Sequence, residues 1–168
     1  MRWFRRKKKE KIENAVDQPQ TKPSASERLD IPESTLVSLT NPVHAFIKRL
    51  EGIITDADME AKTKALQDTR LQLIVGGEAL LLSKSGVKPL GMSYERSLQS
   101  DVFIRMSEQA AGQLAMTTSF PEFKKEYKQM VGVKGAASYI SIKLHTPLEE
   151  LRRKGYFSIE FLRILIDA

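Results

Sequence analysis

Seven cations crowd the first eleven residues. Arg2, Arg5, Arg6, Lys7, Lys8, Lys9 and Lys11 stand against a single carboxylate, Glu10, with Trp3 and Phe4 among them. Cations at this density repel one another, so the run does not fold on itself and its natural partner is a polyanion. With nucleic acid, RNA or DNA, the cations would displace condensed counterions and the two rings would stack on exposed bases. With an anionic membrane surface, each Lys or Arg would contribute about 1 kcal/mol while Trp3 and Phe4 enter the interface. As a helix the segment 1–16 has a broken apolar sector, because Arg5 and Lys8 fall among Met1, Phe4, Ile12 and Ala15. Membrane binding would therefore rest on charge. Nucleic acid is the preferred partner, the membrane surface the alternative, and a solubilising tail without a partner the plain reading.

The remaining chemistry is sparse. The chain has 168 residues and a net charge of +6, and the terminal run carries all of it, leaving twenty residues of each sign elsewhere. There is no cysteine, which removes disulfides, thiolate nucleophiles and Cys-ligated metals. His44 and His145 have no sequence-adjacent carboxylate pair or second ligand, so they read as surface or capping residues. Glu149 and Glu150 read as helix-cap and dipole partners rather than an acid/base pair. Ser83-Lys84-Ser85-Gly86 lacks the spacing of a phosphate loop. No nucleophile–base arrangement is visible, so the expectation is a non-enzymatic protein with no cofactor and no metal.

Two short motifs touch nucleic-acid recognition. Val131-Gly-Val-Lys-Gly-Ala-Ala-Ser-Tyr-Ile140 resembles the GxxG loop of KH RNA-binding modules over these ten residues. It departs from that pattern at Ser138, where such modules carry an aliphatic residue, and it lacks a clear strand before its first helix. A helix C-cap followed by a turn explains the two glycines equally well. The segment 146–166 has two short helices around Gly155, in the manner of a helix-turn-helix, but its second helix is apolar on nearly every side. A recognition helix needs polar side chains toward base edges, so packing is the better account.

These residues must be held by a body. Residues 1–35 are polar and proline-dotted and cannot offset their ordering entropy by apolar burial, so they read as a flexible basic arm and linker. Residues 36–168 read as a mainly α, bundle-like globular domain of about five to six helices. Asn41-Pro42 opens the first, with Val43, Phe46, Ile47, Leu50, Ile53 and Ile54 on one face. Thr55 or Asp56 caps a second with a Met59, Leu66, Leu73 repeat. Segment 70–83 leans to helix on its leucines, although Gly76-Gly77 is also a hairpin signal. Ser93 is expected to cap a third helix carrying Leu98, Val102, Phe103, Met106, Ala110 and Leu114. Ser119 opens a fourth through a capping box with Glu122. Segment 138–145 is balanced between strand and helix, so one small sheet with 70–83 stays open. Thr146-Pro147 with Glu149 is read as a capping box for a short helix that Gly155 ends.

The last segment, Ile159 to Ile166, is apolar nearly all round and must be buried in its own core or against another subunit. Phe161, Leu162 and Leu165 are the candidate protein contacts, in a homo- or hetero-oligomer. No apolar run approaches the ~18–20 residues of a membrane span, and no signal-peptide core follows the basic run. The resulting expectation is a structural or assembly protein, cytoplasmic or inside a viral particle, whose basic arm binds nucleic acid. The alternative is a peripheral protein held by that arm on an anionic cytoplasmic membrane surface.

Overall fold

The computed structural model describes residues 41–133 and 135–167. The basic run at 1–11 and the whole of the expected arm, 1–35, lie outside the described residues.

Asn41 caps the first described helix as the sequence predicts. Its side chain accepts from the Val43 and His44 amides at 2.9 and 3.3 Å, and Pro42 needs no partner at the first helical position. Helix α1 (Pro42–Ile54) buries Val43, Phe46, Ile47, Leu50 and Ile54. Asp56 caps the short α2 (Ala57–Thr63). Next come strands β1 (Thr69–Val75), β2 (Glu78–Lys84), β3 (Gly91–Ser93) and β4 (Val102–Met106). Helices α3 (Glu108–Met116) and α4 (Phe120–Met130) precede β5 (Ile140–Leu144). Then α5 (Leu148–Arg153), a 3-10 turn at Tyr156–Ser158 and α6 (Glu160–Ile166) close the described chain.

The strands form one mixed sheet in the order β3-β2-β1-β4-β5. All pairs are antiparallel except the central one, β1 with β4. The register places Leu71, Leu73 and Val75 of β1 beside Leu82 and Leu80 of β2 and beside Val102, Ile104 and Met106 of β4. All of these side chains are buried in the same cluster as the helix residues Phe46, Leu114, Phe123 and Phe161. Helices therefore cover one side of the sheet. On that side Arg49 of α1 lies over the Phe123 ring at 5.8 Å and also bonds the Ala115 and Thr117 carbonyls. The Tyr127 hydroxyl of α4 donates to the Leu165 carbonyl of α6 at 3.0 Å. Phe161, Leu162 and Leu165, the candidate protein contacts, are 1% exposed and belong to this core. Of the two settings expected for the last helix, its own core is the one observed.

The expectation of a mainly helical bundle is overturned by the five-stranded sheet. Segment 70–83 is the β1–β2 hairpin rather than a helix. Its leucines are good helix formers, but propensity is a weak prior against cross-strand packing. Gly76 and Gly77 both hold positive φ, at 55° and 96°, the pattern of a two-residue hairpin turn. The third helix, expected from Ser93, is also wrong over its first half. Val102, Phe103 and Met106 belong to β4, and the helix starts after Ser107, whose hydroxyl accepts from the Ala110 amide at 3.2 Å. The second helix ends at Thr63, so Leu73 of the expected repeat lies in β1. Segment 138–145 resolves as strand β5. Ser119 does cap α4, whereas the capping box at Thr146 is absent: α5 has no side-chain cap.

Gly76 is the tightest backbone point. A Cβ there would stand 2.5 Å from Glu108 Cγ and 2.8 Å from Val43 Cγ2, on a backbone that L-residues avoid. Gly76→Ala is expected to cost about 2 kcal/mol from the left-handed backbone and the crowding together, measured by urea unfolding. A variant as stable as the parent would contradict the turn geometry.

Candidate functional site

Strand β5 is an edge strand whose inward side chains are incompletely covered. Ile140, Ile142 and Leu144 pair with Met106, Ile104 and Val102 and so point to the helix side of the sheet. All three β4 partners are buried. Along β5, however, Ile140 is buried, Ile142 is half-buried and Leu144 is 39% exposed. The helix layer covers the start of β5 and leaves its end uncovered.

That shortfall makes a cleft of about 570 Å³ along β5. Val131 and Val133 from the end of α4 and the following loop form one wall, and Ile166 at the end of α6 closes another. Gly132 and Gly135, the pair that resembles a KH loop, line its rim. The Gly132 amide donates to the Ile140 carbonyl at 3.0 Å, and Val131 forms an isolated bridge to Ile140. The loop thus ties itself across β5 and holds the cleft open beside it. Tyr139 and Ser141 are the polar side chains of the lining, so among its described residues the cleft has no carboxylate, amine or imidazole. It can shelter apolar atoms and offer two hydroxyls; it cannot supply a carboxylate or imidazole base.

Among the described residues the most connected polar group lies elsewhere, at Asp101 before β4. Its Oδ2 accepts from the Arg70 amide at 3.0 Å and the Tyr156 hydroxyl at 2.9 Å. Its Oδ1 accepts from the Thr146 hydroxyl at 2.9 Å and the Lys154 ammonium at 2.5 Å. Its carbonyl takes the His145 and Thr146 amides. This explains the missing capping box, since the Thr146 hydroxyl is spent on Asp101. Burial opposes ionisation of Asp101, but the bonds from Lys154, Arg70, Thr146 and Tyr156 outweigh it and hold its carboxyl below the usual range. Burial and the neighbouring charge push the Tyr156 hydroxyl upward, so it stays a donor. With every lone pair engaged by the protein, the group reads as a fastener between the 145–156 segment and the sheet.

The nine residues of the basic run fall outside the described chain, so the structure brings none of them to a site. His44 borders a shallow polar hollow with Glu78 and Glu108. His145 stacks against Phe103 at 5.1 Å. Among the described residues no three His, Asp or Glu side chains gather as a metal site, and no helix is long and apolar enough to cross a membrane. The helix-turn-helix reading of 146–166 fails on geometry, because the second helix is buried through Phe161, Leu162, Ile164, Leu165 and Ile166.

The chain matches no protein-family model, and no curated relative matches it. A solved structure titled "UbiJ-SCP2 Ubiquinone synthesis protein" is similar to it at a TM-score of 0.40 and 12% identity. The likeness covers 80% of this chain and 96% of that one.

Asp101→Asn should lower stability by about 3 kcal/mol, because it leaves the Lys154 ammonium without its counter-charge in a nearly closed site. The folded chain binds the Asp101 proton less readily than the unfolded chain does. Its contribution is therefore complete above the ordinary carboxylate range and disappears as pH falls through the depressed folded value. Unfolding curves of D101N and the parent should accordingly converge on acidification. A gap of constant size from neutral to strongly acid pH would refute this account.

Proposed function

We propose that the protein is a non-enzymatic binding protein that seats the apolar portion of an amphiphile, a lipid or lipid-like molecule, in the β5 cleft. Its basic N-terminal run holds it at an anionic surface. The observation that carries the reading is the uncovered end of β5, where a sheet face that is dry at β4 opens as an apolar cleft. Its volume sits within the roughly 300–1,000 Å³ of small-ligand sites, and its lining has their character, mostly apolar with a few polar groups. Each methylene brought into it from water gains about 0.8 kcal/mol. Tyr139 and Ser141 would orient a polar end at the rim.

The basic run keeps two readings, nucleic acid and membrane. The cleft favours the membrane, because an amphiphile ligand is found where lipids are, and the same cations are attracted to an anionic leaflet. Assembly around nucleic acid rests on the run alone.

A fatty acid carrying an environment-sensitive fluorophore tests the cleft. The full chain should bind it saturably at one site. Leu144→Glu, at an exposed position, should weaken binding at least tenfold by putting a carboxylate against the apolar chain, with the melting temperature unchanged. Equal affinity in L144E, or no binding by the parent, would overturn the reading.

A further inference from the structure

The side of the sheet away from the helices has its own character. On it the strands present alternate positions, and three of these are cations: Arg70 of β1, Arg105 of β4 and Lys143 of β5. No strand position on that side carries a carboxylate. Arg105 pairs with Ser141 and Phe103 with Lys143, so Arg105 and Lys143 are diagonal neighbours on adjacent strands. Like charges placed so close repel each other. All three side chains are exposed, and among the described residues none forms an ion pair. A balanced body that gathers unpaired cations on one face presents that face to an anion.

The segment between β3 and β4 crosses this same side. Gln72, fully buried, fixes it there: its Nε2 donates to the Glu95 carbonyl at 3.1 Å and its Oε1 accepts from the Ser97 amide at 2.6 Å. The segment adds Arg96 against Glu95 and Asp101, the latter paired with Lys154, and one aliphatic side chain, Leu98, which is 91% exposed. Phe103, the ring at a strand position on this face, is half-buried and packed against His145, whereas Leu98 presents an exposed aliphatic chain. It gains by entering hydrocarbon.

We propose that this face docks the body on an anionic phospholipid bilayer, Arg70, Arg105 and Lys143 meeting the headgroups and Leu98 entering the interface. The proposal rests on the anionic-surface half of the function proposed above and adds a second, body-borne contact. Strand β5 contributes Lys143 to this face and Ile142 and Leu144 to the opposite one, so the docking face and the cleft share one edge strand.

The test uses the full chain, with its basic run intact, and co-sedimentation with vesicles of phosphatidylcholine and phosphatidylglycerol. The R105Q/K143Q variant removes two exposed charges and should partition roughly thirtyfold more weakly than the parent, and Leu98→Ser should weaken it further. Binding of the fluorescent fatty acid should stay at parental affinity in both. If the parent pellets and R105Q/K143Q pellets equally, the basic run alone does the docking and this face does not. If the parent does not pellet with these vesicles, the anionic-surface reading falls with it. If the variant instead loses affinity for a single-stranded oligonucleotide while pelleting unchanged, the face serves nucleic acid and the proposal is overturned.

Discussion

The sheet turns most of its apolar side chains to one side, with Ile74, Leu81 and Phe103 on the other, and the helices that must cover the first side are short. The longest, α1, has 13 residues, and α2, α5 and α6 have seven or fewer. A helix advances about 1.5 Å per residue, so these pieces cover the middle of the sheet and little beyond. Burial follows that reach. The inward residues of β1 and β4 are almost wholly dry, and those of β5 emerge step by step toward Leu144. The cleft is thus a consequence of helix length against sheet width, made at the one edge where the layer runs out.

The same arithmetic separates the two faces. One is dry, aliphatic and closed by the Arg49, Phe123 and Tyr127 contacts between helices. The other carries three exposed cations at its strand positions and is crossed by a segment pinned to the buried Gln72. Strand alternation turns Ile140, Ile142 and Leu144 to one face and Ser141 and Lys143 to the other, although at the open edge Ser141 still borders the cleft. An edge strand in this position couples apolar and electrostatic surfaces at a distance of one residue.

What could be read in the residues was whatever is encoded locally. The Asn41-Pro42 start and the Ser119 cap are each written within four positions, and both hold. The helix expected from Ser93 failed because Val102 and Met106 lie four apart, a spacing that a helix and a strand face both satisfy. In 70–83 the two glycines spoke for the turn and the leucines against it, and tertiary pairing decided. Asp101 gave no local signal: its partners lie 31, 45, 53 and 55 residues away. The cleft was also invisible, since it is defined by helix that is missing. Its GxxG rim did stand out, as a resemblance over ten residues.

The single parallel pair at the centre of the sheet sets an order of events. β1 and β2 meet across two residues and can zip within microseconds, as hairpins do. β1 cannot find β4 until the intervening chain has been laid down and its ends brought together, because parallel neighbours demand a long connection. A hairpin formed before the β1–β4 seam closes would leave one flank of β1 unpaired, and an unpaired strand flank is a template for another chain.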